Sequence, residues 1–197
     1  MSSYENYFDD QAGKYLKSSE KGFWFFLRKK EKEAVLKALE PFKGMRCIDL
    51  GCGAGYYTHL LLRHSPALMV GVDRSFTMLK QLNHKSILIA QADIQTVAFR
   101  KPFDRVLCAG ALEFLDSIDP FLENAKKLLA PDGLMTILLP RRGIWGFFYK
   151  LFHWSHSVSI QLFAYRKLEN KLKKWGFKLE EITSPTPMTY VLKIAHR

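Results

Sequence analysis

Cysteine is scarce in this chain: three residues, Cys47, Cys52 and Cys108, among 197. Their odd number and the absence of C-x-x-C spacing argue against a disulfide framework or a structural zinc site. Each sits in or beside an apolar run, as reduced, packed thiols do. No stretch of about 20 apolar residues occurs, so a membrane-spanning helix is not expected. The opening residues, MSSYENYFDDQAGKY, carry acids and no apolar run, so no secretory leader is expected and the chain reads as cytoplasmic. Internal repeats, low-complexity tracts and linkers are missing too, which leaves one domain. Acids are in deficit, 19 Asp and Glu against 30 Lys and Arg, a net charge of +11. Such a surface attracts nucleic acid, acidic lipid headgroups or a carboxylate ligand, or it serves solubility alone. Hydrophobic residues are plentiful at 48%, against 25% charged, so the chain is globular and long enough to bury a substantial core.

Short apolar runs alternate with amphipathic stretches along the chain. Residues 22–40, ending before Pro41, read as a helix. MRCIDL (45–50) reads as a strand, about 56–64 as a helix and LMVGVD (68–73) as a second strand. Ser75 can cap a helix over FTMLKQL by accepting a backbone N–H of its first turn. SILIAQAD (86–93) and FDRVLCA (103–109) are further strands, and about 120–129 is helical. The turn Pro131-Asp132-Gly133 then delivers LMTILLP (134–140) as a fifth strand. RKLENKLKKWGF (166–177) reads as a helix stopped at Gly176. FKLEEITS (177–184) and TYVLKIAHR (189–197) are too closely linked to pair in parallel. The expected fold is α/β: a doubly wound, mostly parallel seven-stranded sheet ending in an antiparallel hairpin, with helices on both faces.

The informative stretch is CIDLGCGAGYYTHLL, residues 47–61. Gly51, Gly53 and Gly55 lie where a strand turns into a helix. Without side chains they permit a tight turn and let a ligand approach the backbone, and the turn aims N–H groups of the helix start at it. Asp73 ends the next strand, where an acid can accept hydrogen bonds from both ribose hydroxyls of an adenosine. The G-x-G-x-G spacing differs from the G-x-G-x-x-G of dinucleotide binders.

With IDLGCGAG (48–55), GVD (71–73), AD (92–93), FDRVLCAGALEFL (103–115) and LAPDGLMTILLP (129–140) in this order, the sequence resembles the class I S-adenosylmethionine-dependent methyltransferases of the small-molecule type. The resemblance covers roughly half of the chain. It implies that Asp49 and the backbone of Gly51 and Gly53 hold the methionine end of S-adenosyl-L-methionine, with Cys52 and Gly55 also among the cofactor-binding residues. It implies that Asp73 binds the ribose, with Arg74 and Met78 flanking the adenine, Asp93 facing its amino group and Ile94 beside it. Ala109 and Gly110 would run past the methionine amino group toward the acceptor. The matching alternatives are a loop-starting acid for Asp93, a core residue for Met78 and a solvated acid for Glu113, which could otherwise point at substrate.

On this reading residues 1–44 form an N-terminal lid and helices, 45–140 the cofactor-binding core, 141–165 a substrate-side insertion and 166–197 the last helix and hairpin. RRGIWGFFYKLFHWSHSVSI (141–160) is rich in aromatics between basic ends, which suits a hydrophobic, acidic or lipid-like small molecule, or contact with a membrane surface. Trp145, Phe148 and Lys150 are the substrate-side candidates, and His153 and His156 the candidate bases, since imidazoles titrate near neutral pH. Tyr15, in Phe8-Asp9-x-x-Ala12-x-x-Tyr15, matches a lid pattern of related enzymes. Methyl transfer needs no metal, and none is expected. The rivals are a nucleic-acid methyltransferase, favoured by the charge but lacking an N/D-P-P-Y/F loop at 109–114, and a non-catalytic protein that binds the same cofactor. Specific nucleic-acid binding is not expected, and the chain reads as a monomer or homodimer.

Overall fold

The computed structural model describes residues 23–82, 84–143 and 160–197, with side chains from Phe26 onward. Helix α1 (Phe23–Leu39) leads into β1 (Arg46–Leu50), α2 (Tyr56–Leu62), β2 (Leu68–Asp73), the short α3 (Phe76–Leu79) and β3 (Ile87–Gln91). There follow β4 (Phe103–Ala109), a 3-10 turn (Leu112–Phe114), α4 (Asp119–Leu128), β5 (Leu129–Pro140), α5 (Tyr165–Lys174), β6 (Phe177–Thr186) and β7 (Thr189–His196).

The seven strands form one sheet in the order β3-β2-β1-β4-β5-β7-β6. The first five are parallel, and β7 runs antiparallel between β5 and β6. Successive strand residues enter opposite layers. Cys47, Met69, Leu107 and Leu138 pack with Val35, Leu39 and Leu61 on one face. Ile48, Val70, Val106, Ile137 and Leu192 pack with Phe121, Leu122, Leu168 and Leu172 on the other. That period of two explains why these strands read as unbroken apolar runs: both faces are covered. On the outer edge, β3 turns Leu88 and Ile89 to solvent.

Two elements differ from the sequence reading. The fifth strand begins at Leu129, and Pro131-Asp132-Gly133 lies within it: Phe103 pairs with Leu129 but Arg105 with Leu134, so the turn residues form a bulge. The helix capped by Ser75 covers only Phe76–Leu79, although the cap is present, with Ser75 Oγ accepting the Met78 N–H at 3.1 Å. The closing antiparallel hairpin is present as expected, with its second strand paired to β5 and its first at the edge. Gly176 ends α5 as expected, at φ +78°.

Candidate active site

Parallel strands bring their C-terminal ends to one side, and the loops following β1, β2 and β4 meet there. Gly51 (φ +75°) comes so close to Ala111, after β4, that a Cβ on it would stand 2.4 Å from the alanine's Cβ. Among the described residues, a Cβ on Gly53 (φ +53°) would meet no atom within 4 Å, so its missing side chain leaves space beside the backbone. The Gly51 and Cys52 N–H groups donate to the Val72 carbonyl at 2.8 and 3.0 Å. The Gly53 N–H donates to Asp73 Oδ2 at 2.8 Å. These amides are consumed in joining β1 to β2 and are not free for a ligand, contrary to the sequence reading.

A cavity of about 320 Å³ opens over these loops, a size typical of small-ligand sites. Ten of the twelve sequence-selected cofactor residues line it: Gly51, Cys52, Gly53, Asp73, Arg74, Met78, Asp93, Ile94, Ala109 and Gly110. Asp49 and Gly55 do not. Asp49 is buried behind the glycine turn, where its Oδ2 accepts the Thr58 hydroxyl at 2.7 Å. Burial outweighs that bond and pushes its carboxyl up to about 7. Gly55 serves packing, since a Cβ there would strike the Leu82 side chain at 2.0 Å.

At one end of the cavity Asp73 also accepts the Ser75 N–H, at 2.9 Å, so both its oxygens are oriented. Burial raises its pKa above the ordinary carboxylate value. Arg74 and Asp93 pair with each other through Arg74 Nη2 and Asp93 Oδ2. Asp93 Oδ1 further accepts the Gln95 N–H at 2.9 Å, so this acid both starts its loop and lines the cavity. Asn124 of α4 clamps that loop by donating to the carbonyls of Ile94 and Val97, at 3.1 and 2.9 Å. Met78 is at once a cavity wall and a core residue packed with Ala54.

The opposite end is built by residues outside the glycine motif. Leu27, Arg28 and Glu31 come from α1, Leu138, Leu139 and Pro140 from the end of β5, and Met188 and Thr189 from the hairpin. Glu31 accepts the Thr189 hydroxyl at 2.9 Å, and burial raises its pKa. Glu113, in the 3-10 turn, is 3% exposed, which excludes a solvated acid, and burial pushes it up to about 7. A G-x-G-x-G search cannot find these groups, because they reach the site from distant parts of the chain.

The insertion is described only at its ends. The Arg142 N–H donates to Phe163 O, and the Gln161 N–H donates to Glu113 O at 2.8 Å, so both ends are rooted beside the cavity. Tyr15, Trp145, Phe148, Lys150, His153 and His156 lie outside the described residues.

Residues 48–137 match the family model described as a methyltransferase domain. Over that span the chain carries a methyltransferase domain, and its sheet has the class I S-adenosylmethionine-dependent methyltransferase fold. It is 29% identical over 116 residues to a ubiquinone biosynthesis O-methyltransferase of Rhodopseudomonas palustris, covering 56% of this chain and 45% of that protein. It is 28% identical over 112 residues to a tRNA U34 carboxymethyltransferase of Pseudoalteromonas translucida, covering 53% and 35%. The chain thus spans less than half the length of either relative. Magnesium protoporphyrin IX methyltransferase from Synechocystis PCC 6803, solved with bound SAH, shares the fold at a TM-score of 0.76 and 16% identity, over 98% of both chains. The described residues fit the donor of this methyltransferase family. Gly53 leaves an open cradle, Asp73 presents an oriented carboxylate, and acids dominate the cavity's ionisable groups although the whole chain is basic. An acidic lining suits a ligand that carries a sulfonium and an ammonium.

Proposed function

We propose that this chain transfers the methyl group of S-adenosylmethionine to a small, mainly apolar acceptor. When bound, the donor supplies an electrophilic methyl carbon, and the protein's work is to hold, align and desolvate the reactants. Asp73 would accept the ribose hydroxyls while Met78 and Ile94 flank the adenine, and Ala109 and Gly110 would lead toward the acceptor. The Arg74–Asp93 pair would have to share or yield its hydrogen bonds for Asp93 to meet the adenine amino group. The aromatic insertion 141–160, with Trp145, Phe148 and Lys150, would close the acceptor end, and Tyr15 would belong to a lid.

The observation that carries this reading is the two-ended cavity. Asp73, Arg74 and Asp93 line the end over β2, while the end over β5 combines an apolar wall of Leu27, Leu138, Leu139, Pro140 and Met188 with the ionisable Arg28, Glu31 and Glu113. The O-methyltransferase relative named for ubiquinone biosynthesis is consistent with an apolar acceptor. A second reading, RNA methylation, draws on the net charge of +11 and on the tRNA-acting relative. Buried carboxylates at the acceptor end oppose a polyanion there. Incubating the protein with isotopically labelled S-adenosylmethionine and either a metabolite and lipid extract or purified tRNA separates the two. Label in a small apolar product supports the proposal, and label in RNA alone overturns it.

A further inference from the structure

Glu113 stands out as a buried acid that the fold does not use. Its Oε2 is shut off from solvent and accepts no hydrogen bond among the described residues. No described residue compensates for that orphaned atom, and such groups are rare in folded proteins unless a ligand or a reaction needs them. The position is informative. The 3-10 turn holds Glu113 just past the C-terminal end of β4, on the wall of the cavity, and the Gln161 N–H fastens its backbone carbonyl. Between β4 and this turn stands Gly110, at φ +72°. A Cβ on Gly110 would lie 3.8 Å from Glu113 Oε1 and touch nothing else within 4 Å among the described residues. Glycine therefore leaves a space directly beside the carboxylate that any other residue would begin to fill.

We propose that Glu113 is the catalytic base of the methyl transfer, receiving the proton of an acceptor hydroxyl or amine seated in the space beside Gly110. This inference rests on the methyltransferase reading above and adds the acceptor's chemistry to it. The acceptor's lone pair forms the new bond to the methyl carbon. The carbon–sulfur bond breaks with its electron pair left on sulfur, giving the neutral thioether, and the acceptor's proton moves to Glu113 and then to solvent. The surroundings suit the task. Glu31 from α1 and the Cys108 thiol from β4 are the titratable groups that bear on this carboxyl. Neither is a cation that would hold it permanently ionised. Burial and the Glu31 charge both favour the protonated form, which places the group near neutrality, where a base can accept and release a proton. The same carboxylates repel an acceptor whose own anionic group points inward, so an acidic acceptor would have to enter with its apolar, protic end first.

The test compares wild type with Glu113→Gln, and separately with the His153→Gln/His156→Gln double variant. Calorimetry with S-adenosylmethionine and S-adenosylhomocysteine measures donor binding, and label transfer to the metabolite and lipid extract measures turnover. Carbon-13 NMR follows the Glu113 carboxyl against pH in the free protein. We expect Glu113→Gln to bind both adenosyl ligands within about twofold of wild type while turnover falls roughly 100-fold or more. Wild-type turnover should rise with pH through a midpoint near 7, and the NMR titration should show the same midpoint and vanish in the variant. A parallel loss of donor affinity would make Glu113 a ligand of the donor's ammonium and overturn the assignment. Full turnover in Glu113→Gln would overturn it too, as would a loss confined to the histidine variant. Should the variant not fold, a wild-type carboxyl ionised below pH 5 overturns the proposal, and a midpoint near 7 matched by the rate profile upholds it. Wild type that binds the donor yet labels nothing in the extract overturns the methyltransferase reading first, and this inference with it.

Discussion

The carboxylate of Asp73 accepts the backbone N–H of Gly53 at 2.8 Å, tying the end of β2 to the middle of the glycine turn after β1. One acid thus shapes the turn and presents its remaining acceptor capacity to the cavity that Gly53 leaves open. On the function proposed above, ligand affinity at this site should depend on both residues, by different means.

Asp73→Ala removes the oriented carboxylate and leaves the Gly53 amide without its partner. S-adenosylmethionine affinity should fall by roughly 1.5–3 kcal/mol, the worth of a hydrogen bond to a charged group. Calorimetry at pH 7.5 checks this, and NAD should show no binding to wild type.

The two glycines should part company. Gly53→Ala meets open space, so stability should fall only by the roughly 1–2 kcal/mol of the left-handed backbone, while donor affinity falls at least tenfold. Gly51→Ala pays the same backbone cost and also drives a Cβ against Ala111. Overpacking of that kind adds roughly 1–3 kcal/mol. Denaturant melts beside binding isotherms separate the effects.

The pH dependence of stability follows from Asp49 and Glu113, each pushed up to about 7 by burial. Their folded pKa values exceed the unfolded ones, so between about pH 4 and 7 the native state binds more protons than the unfolded chain. Stability contributed by the protonated forms is therefore lost as pH rises through that window. The free protein should melt at a lower temperature at pH 8 than at pH 5.5, by roughly 2–4 °C per kcal/mol in a chain of this size. Asp49→Asn, which keeps an acceptor for Thr58, should reduce the difference.

Asp119 holds α5 to α4: it pairs with Lys171, and its Oδ1 accepts the Trp175 indole N–H at 2.8 Å. The Lys171 and Trp175 hydrogen bonds hold its pKa well below the usual carboxylate range. Its stabilisation is fully present above the unfolded value near 4 and is lost progressively as pH falls from there through the depressed folded value. Asp119→Ala should cost about 1 kcal/mol at pH 7, measured by denaturant unfolding, and progressively less as pH is lowered below about 4.

Much of this protein was legible locally. Apolar runs at strand length, Ser75 at a helix start, Gly176 at a helix end and the glycines after β1 act over a few residues, so their meaning survives without knowledge of the partner. That determined the strands, their parallel arrangement and the donor end of the cavity. Tertiary packing decided the rest. Asp73 and the glycine amides read as separate ligand contacts until the fold joined them, and Arg74 and Asp93 proved to be each other's partners. The sequence marks Glu113 as an acid after a strand, either solvated or pointing at substrate, without deciding between the two. Its burial depends on the loops packed around it, and its Glu31 neighbour comes from α1, far away in the chain. The bulge in β5 likewise arises because pairing with β4 continues across residues whose local preference is to turn. Side-chain environment is a property of long-range contacts, and pattern alone carries no record of which distant segments will meet.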